Sequence, residues 1–360
     1  MRAVHLGFAF AIVCVACGQT SGHGGGLSST SNEVALAASP NSVAMCSTTP
    51  SIVASQVDSF AAGNGTLAMI EGTTVSVLRA SDVTPTHFTM PVAARAFSGL
   101  DVDDQFVSYG ILSKELGLQL GAYVTSVDYR HGTFTNLLQT EVVLGVVAAS
   151  HHVFFESSGP DFNAPVPLTN ASSDGTSSSV LTELAGGAGP MLRNHDSLAW
   201  LGDQNVLWTM PSDGSAAPTS HGVLAQMPRA LGDGFVLGAS SSSLVSITLD
   251  THATTPLATL LTPNYPAQGA ESPVGVANAA IGASNIYWSE CWANGGSSSG
   301  SSSLTNWVLR SVPIGGGTPR VIDSFTWSAG SAVPGTCPQV AADGGAVYWT
   351  REGSLMRMCE

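Results

Sequence analysis

The chain has 360 residues, 25 acidic against 11 basic, for a net charge of −14. Its basic residues form no cluster, which excludes a phosphate-tracking surface for nucleic acid, and its single lysine, Lys114, removes most Schiff-base, P-loop and Ser-Lys chemistries. Hydrophobic residues make up 44% and charged residues 10%, so a packed body is expected, and a chain of this length can form one large β-domain as readily as two average domains.

Met1-Arg2 precedes an apolar run, Ala3 to Ala16, that has the length of an export signal and is shorter than the roughly 20 residues of a membrane span. The run closes on Cys14-Val15-Ala16-Cys17-Gly18, which resembles the lipobox of bacterial lipoproteins, with Cys14 where that box usually carries Leu. The resemblance implies cleavage after residue 16, lipidation of Cys17 and a place in the cell envelope, at the outer membrane or cell surface. Plain secretion with cleavage elsewhere is the alternative. Residues 17–42, rich in Gly, Ser and Ala without periodicity, read as a flexible tether, and residues 43–360 as the folded body.

Within that body one phrase recurs. Aligned on the third residue of an apolar strand, the copies fall at Met69, Ser108, Phe155, Trp200, Leu237, Trp288 and Trp349, spaced 39, 47, 45, 37, 51 and 61 residues apart. That period fits the blades of a β-propeller, four strands each, with insertions in the last two. Ahead of each aligned strand, here strand B, stands a turn such as Gly63-Asn64-Gly65 or Asp343-Gly344, and ahead of most turns a small apolar strand A suited to the crowded inner edge. Strand C alternates with period two, as in Val75-Ser76-Val77-Leu78-Arg79, and strand D follows a polar turn at the outer edge. Blade three is the weakest copy, because its strand C, Pro167 to Asn170, is short and led by proline. Leu112 to Leu118 reads as one helical turn or as loop. Blade seven lacks strand D, and Thr49 to Ala54 reads like Thr318 to Ile322, so the N-terminal segment is expected to complete it. The expected fold is all-β: a seven-bladed propeller closed by the N-terminal strand.

The body carries Cys46, Cys291, Cys337 and Cys359, an even number in an oxidising compartment. In the ring Cys46 and Cys359 flank the same C–D junction, and Cys291 and Cys337 lie in connections on one face, which pairs Cys46 with Cys359 and Cys291 with Cys337. Cysteine-based metal binding is the weaker alternative, since the body has no CxxC pair.

The phrases Tyr287-Trp288-Ser289-Glu290 and Tyr348-Trp349-Thr350-Arg351 resemble the YWTD-like repeat of extracytoplasmic β-propellers, with Glu290 and Arg351 where that repeat has Asp. The resemblance implies blades related to those of streptogramin lyases and lipoprotein-receptor propellers.

Long connections gather on one face: 110–120, 157–164, 262–273, 290–305 and 325–338. They carry Tyr265, Trp292 and Trp327, which read either as stacking residues for a sugar or a partner side chain, or, for the two tryptophans, as packing around a Cys291–Cys337 bridge. His151, His152 and His195 occupy A–B turns on the opposite face and read as polar turn residues rather than metal ligands. Asp101, Asp103 and Asp104 read as a solvated turn rather than a Ca²⁺ site. No GxSxG elbow, HExxH pair or P-loop is present, so neither catalytic residues nor a cofactor or metal are assigned. The expected function is a surface-tethered binding propeller, non-enzymatic, taking a protein or polysaccharide. The alternative is a propeller lyase or hydrolase of the streptogramin type, which requires a histidine and carboxylates converging at one mouth of the channel. His87, His221 and His252 fall instead near C–D turns and outer strands.

Overall fold

Two-residue turns in the left-handed region cut the chain into antiparallel hairpins. Asn64-Gly65, Ser150-His151, Gly344-Gly345 and Glu352-Gly353 all have positive φ at both positions, the conformation whose twist matches that of the strands it joins. Asn64 and Gly65, at φ 54° and 70°, tolerate it without a bulky β-carbon; His151, at φ 63°, is held there by a neighbouring carboxylate described below.

The computed structural model describes residues 47–360 apart from 83, 92–93, 115–119, 141, 159–163, 185–188, 262–270, 295–302 and 327–336. Its strands form seven four-stranded antiparallel sheets, the blades of a β-propeller. Six are consecutive in sequence, from Ser59–Thr89 in blade one to Glu271–Thr326 in blade six. Blade seven takes Val340–Asp343, Ala346–Arg351 and Ser354–Cys359 from the C-terminal side and Ser51–Ala54 from the N-terminal side. Ser51 pairs with Arg357, Ile52 with Met356 and Ala54 with Leu355. Two backbone bonds extend the seam, from Cys359 N–H to Ser47 O at 2.8 Å and from Val57 N–H to Gly353 O at 2.7 Å. The strand A of each blade touches that of the next, and blade seven's touches blade one's, which completes the ring.

The core is divided among seven apolar clusters, one at each blade interface. Successive residues of a strand point to opposite faces, so the Tyr-Trp pairs straddle their blades. Tyr287 packs with Trp349 between blades six and seven, whereas Trp288 packs with Leu237 and Leu244 between five and six. Tyr348 packs with Phe60 and Met69 of blade one. No blade owns a core of its own, and each buried side chain of this size, worth about 1.5–3 kcal/mol, stabilises an interface rather than a single sheet.

Three expectations are corrected. Strand C of blade three is complete, Val166–Ser172: Pro167 is accommodated because the irregular register beside it, between Leu168 and Thr169, relaxes the ladder to strand D. Leu112–Lys114 continue strand B of blade two rather than starting a helical turn. In blade six, strands B and C extend to Asn294 and from Ser303, so Glu290–Asn294 is strand, not loop.

Cys291 and Cys337 form a disulfide with Cα atoms 6.0 Å apart. Cys359 is also disulfide-bonded, beside Ser47; Cys46 lies outside the described residues. Peptide mapping under non-reducing conditions is expected to recover Cys46 with Cys359, a closed loop of most of the chain, and replacing both by serine is expected to lower stability by about 4 kcal/mol. Recovery of Cys46 linked to Cys291 or Cys337 would contradict the assignment.

Candidate functional site

The inner A strands bring polar side chains of distant blades together across the axis. Arg193, in strand A of blade four (Met191–Arg193), reaches strand A of blade two (Ala94–Val102) and donates to both oxygens of Asp101, at 2.5 and 2.6 Å, and to Val102 O at 2.9 Å. Asp101 also accepts the Val102 N–H at 2.9 Å and, from blade three, the Ala148 N–H at 3.0 Å. One carboxylate thus joins three blades. A β-carbon at Gly63 of blade one would lie 2.5 Å from Arg193 Nη2, so glycine there leaves room for the guanidinium. His195 of blade four meets Asn64 of blade one at 2.9 Å, beside the same mouth. These contacts link blades one to four at the mouth formed by the A–B turns.

Asp103 is fully buried and accepts the N–H groups of Gln105, Phe106 and His151 at 2.8, 2.6 and 3.1 Å; burial nonetheless raises its pKa above the usual carboxylate value. The solvated-turn reading therefore fits Asp104 alone, because Asp101 and Asp103 are recruited by blades distant in sequence. The imidazole rings of the turns hydrogen-bond to side chains, His151 to Asp104 at 3.0 Å and His152 to Asn170 at 2.9 Å. On the outer strands His87 meets Ser76 and His221 meets Thr209, at 2.9 and 2.7 Å. Among the described residues no three His, Cys, Asp or Glu side chains gather in a way that would hold a metal.

At the opposite face, Trp292 is the one sequence-predicted binding residue that lies among the described residues. Trp292 lies on the extended strand B of blade six and is 3% exposed, so it is not an exposed stacking ring. Tyr265, Trp327 and Cys17 lie outside the described residues.

A recess that sequence reasoning missed opens instead between blades three and four, a cleft of about 530 Å³. Trp200 and Trp208 lie directly opposite each other on neighbouring strands of blade four and so share the face turned toward blade three. With strand D of blade three, Ser178–Leu184, they line the cleft, joined by Gly202, Asp203 and Gln204 of the hairpin turn. A β-carbon at Gly202 would come within 2.8 Å of Trp208 Nε1, so the indole lies against bare backbone. The available signal was the near-symmetric run from Trp200 to Trp208 about the turn at Gln204-Asn205.

Two other interfaces of the ring differ from this one. Between blades five and six, Trp288 Nε1 donates to Glu290 at 2.9 Å; Glu290 also accepts the Leu261 N–H at 2.6 Å and Arg310 at 2.7 Å, with Arg310 reaching Thr259 O at 3.0 Å. Between six and seven, Trp349 Nε1 donates to Asp323 at 2.9 Å and Arg351 pairs with the same carboxylate at 3.1 Å. Each tryptophan is locked by an acid that ties two blades, although in one case the acid is two residues after the indole and in the other it comes from the preceding blade. At the interface of blades three and four, Gly202 stands where Glu290 and Arg351 stand. Thr182, which pairs with Leu168 as Asp323 pairs with Leu309, stands where Asp323 stands. The lock is absent, and the buried Trp200 indole N–H has no partner among the described residues.

No protein-family model and no curated protein matches the chain. Solved structures do. A chain of the mitotic checkpoint complex aligns with 87% of this chain and 95% of its own length at 12% identity, with a TM-score of 0.50. BamB from Moraxella catarrhalis aligns over 86% and 97% at 12% identity and a TM-score of 0.47, and the N-terminal domain of Nup159 over 86% and 93% at 12% identity and 0.48. The likeness is one of fold alone.

Two predictions follow from the polar contacts. Arg193→Ala leaves Asp101 buried without its cation, and a loss of about 3–5 kcal/mol is expected in denaturant unfolding; a loss below 1 kcal/mol would show that the axial contact is dispensable. Glu156, on the face of blade three turned toward blade four, is 1% exposed with one oxygen unpartnered, and burial pushes its pKa up to about 8. A raised carboxyl pKa gives stability that is full below about 4.5 and lost as pH rises to about 8. Glu156→Gln is expected to flatten the fall in melting temperature across that window, and an unchanged fall would contradict the assignment.

Proposed function

We propose that the chain is an exported propeller, lipid-anchored through Cys17, that holds a protein or polysaccharide without catalysing a reaction. The observation that carries this reading is that the polar groups at the axial mouth are committed to contacts between blades, while a recess lies at the rim between blades three and four. Arg193 is held by Asp101 and Val102 of blade two, whereas the cleft between blades three and four presents aromatic and polar groups at the rim, where a large partner has access. A rigid ring displaying such a surface is suited to recognition. The lyase or hydrolase reading has no comparable support among the described residues.

The sequence of residues 1–18 supports attachment: a short basic and apolar leader ends on Ala16-Cys17-Gly18, and a single acylated cysteine followed by a polar tether would hold the acidic body off a bilayer. Cys17→Ala is expected to move the protein from the membrane fraction and detergent phase to the soluble fraction. Equal membrane association of the variant and the unaltered chain would contradict the anchor. Binding is checked by saturable co-sedimentation of the full chain with envelope fragments, and its absence would contradict the binding role.

A further inference from the structure

We infer that the axial space beside Arg229 is a binding site for the carboxylate of a small organic acid with an apolar body; this goes beyond the binding role above and is tested apart from it.

Arg229 stands on the innermost strand of blade five, Met227–Gly232. The register of that strand shifts between Pro228 and Ala230, so Arg229 is the extra residue of a bulge, a device that turns a side chain out of its ladder. Of its three side-chain nitrogens only Nε is enclosed without a partner, and the residue remains partly exposed, so the paired Nη groups face open space. No carboxylate among the described residues offsets the burial, which alone draws the pKa of the guanidinium down. Arginine does not escape such a position by losing its proton, so the site is completed by an anion.

Comparison with Arg193 shows why the chain supplies none. From the inner strand of blade four, Arg193 reaches back two blades to Asp101. Two blades back from Arg229 runs the inner strand of blade three, Val142–Ala149, whose sequence VVLGVVAA holds no polar side chain. On the other side the polar groups are committed: Asn278 of blade six donates to Pro338 O at 3.0 Å, and Gln339, ahead of blade seven, accepts the Phe60 N–H at 3.4 Å. Arg229 also lies roughly 10 Å from the level of Arg193 toward the opposite mouth, clear of the aspartates at the A–B turns. The apolar part of the ligand is indicated by Leu144. It too is the extra residue of a bulge, between Val143 and Gly145, and it is 39% exposed on an inner strand, where the adjacent open space is the axis. Since Arg193 spans the same number of blades to reach Asp101, one small molecule can meet Arg229 with its anionic end and Leu144 with its carbon chain. The Nη fork matches two carboxylate oxygens, and a single unpaired cation suits one negative charge better than the larger charge of a phosphate.

The test titrates the full-length protein in a neutral detergent with sodium hexanoate, acetate and inorganic phosphate at constant ionic strength, followed by calorimetry and melting temperature. Hexanoate is expected to bind saturably and to raise the melting temperature, and acetate to bind about tenfold more weakly. Arg229→Gln is expected to weaken hexanoate binding at least about tenfold, and Leu144→Ser to bring hexanoate down to the affinity of acetate. Arg229→Met gives a check that needs no ligand. Replacing an unmatched cation by an apolar chain of similar length is expected to leave the melting temperature of the ligand-free protein equal or higher. A clearly lower one would show that the guanidinium already has a partner within the protein, and would overturn the inference. Failure of hexanoate to bind would overturn it as well, as would unchanged hexanoate affinity in Arg229→Gln or Leu144→Ser, or binding of phosphate in preference to both carboxylates. Co-sedimentation with envelope fragments tests the binding role separately, so either reading can fail while the other stands.

Discussion

The pairing of Ser51–Ala54 with Ser354–Cys359 is the contact on which the other blades depend, because every apolar cluster in the molecule is shared between two neighbours. A blade of this chain has two buried faces and no interior. In an open array of seven, the first and last blades would each expose one face, Phe60 and Met69 on one side and Tyr348 and Leu355 on the other, together with an unpaired strand edge. Closing the ring buries both at once. The final strand is supplied from the other end of the folded body, so closure is part of the strand ladder rather than a docking of finished ends.

Within the closed ring, polar groups set how tightly each pair of blades is held. Asp101 binds Arg193 across the axis and the backbone of blades two and three, and Asp343 accepts the Gly65 N–H at 2.7 Å where blade seven meets blade one. At the periphery the same task falls to tryptophan and an acid, drawn from different strands in blades six and seven. The lock is present at the interfaces of blades five with six and six with seven, whereas the axial contacts involve blades one to four. At the interface of blades three and four the tryptophan has no such acid, and a recess lies there at the rim.

Much of this was legible from the residues, and the remainder was not, for definite reasons. Blade number, strand order and the N-terminal completion of blade seven follow from spacing, turn residues and period-two alternation, all of which are local. The partners of Asp101 are 47 and 92 residues away, so its place in the ring could not be read from a turn that looks solvated. Trp292 follows a loop-like composition, yet the hairpin of blade six continues through it and buries it. The cleft was missed because it is defined by what Thr182 and Gly202 lack relative to Asp323, Glu290 and Arg351. That difference appears only when strand registers of separate blades are superposed. Glu290 and Arg351 each take part in a contact between blades, Glu290 through its own carboxylate and Arg351 through Asp323 of the preceding blade.

Closure of the ring is tested most directly by native-state hydrogen exchange at the backbone amides of Leu355–Met358, compared between the full chain and a chain lacking residues 43–54. The account predicts that these amides exchange only with global unfolding in the full chain, and that removal of the N-terminal segment lowers protection in blade seven and at its interface with blade one together. Slow exchange that is indifferent to the deletion would contradict it.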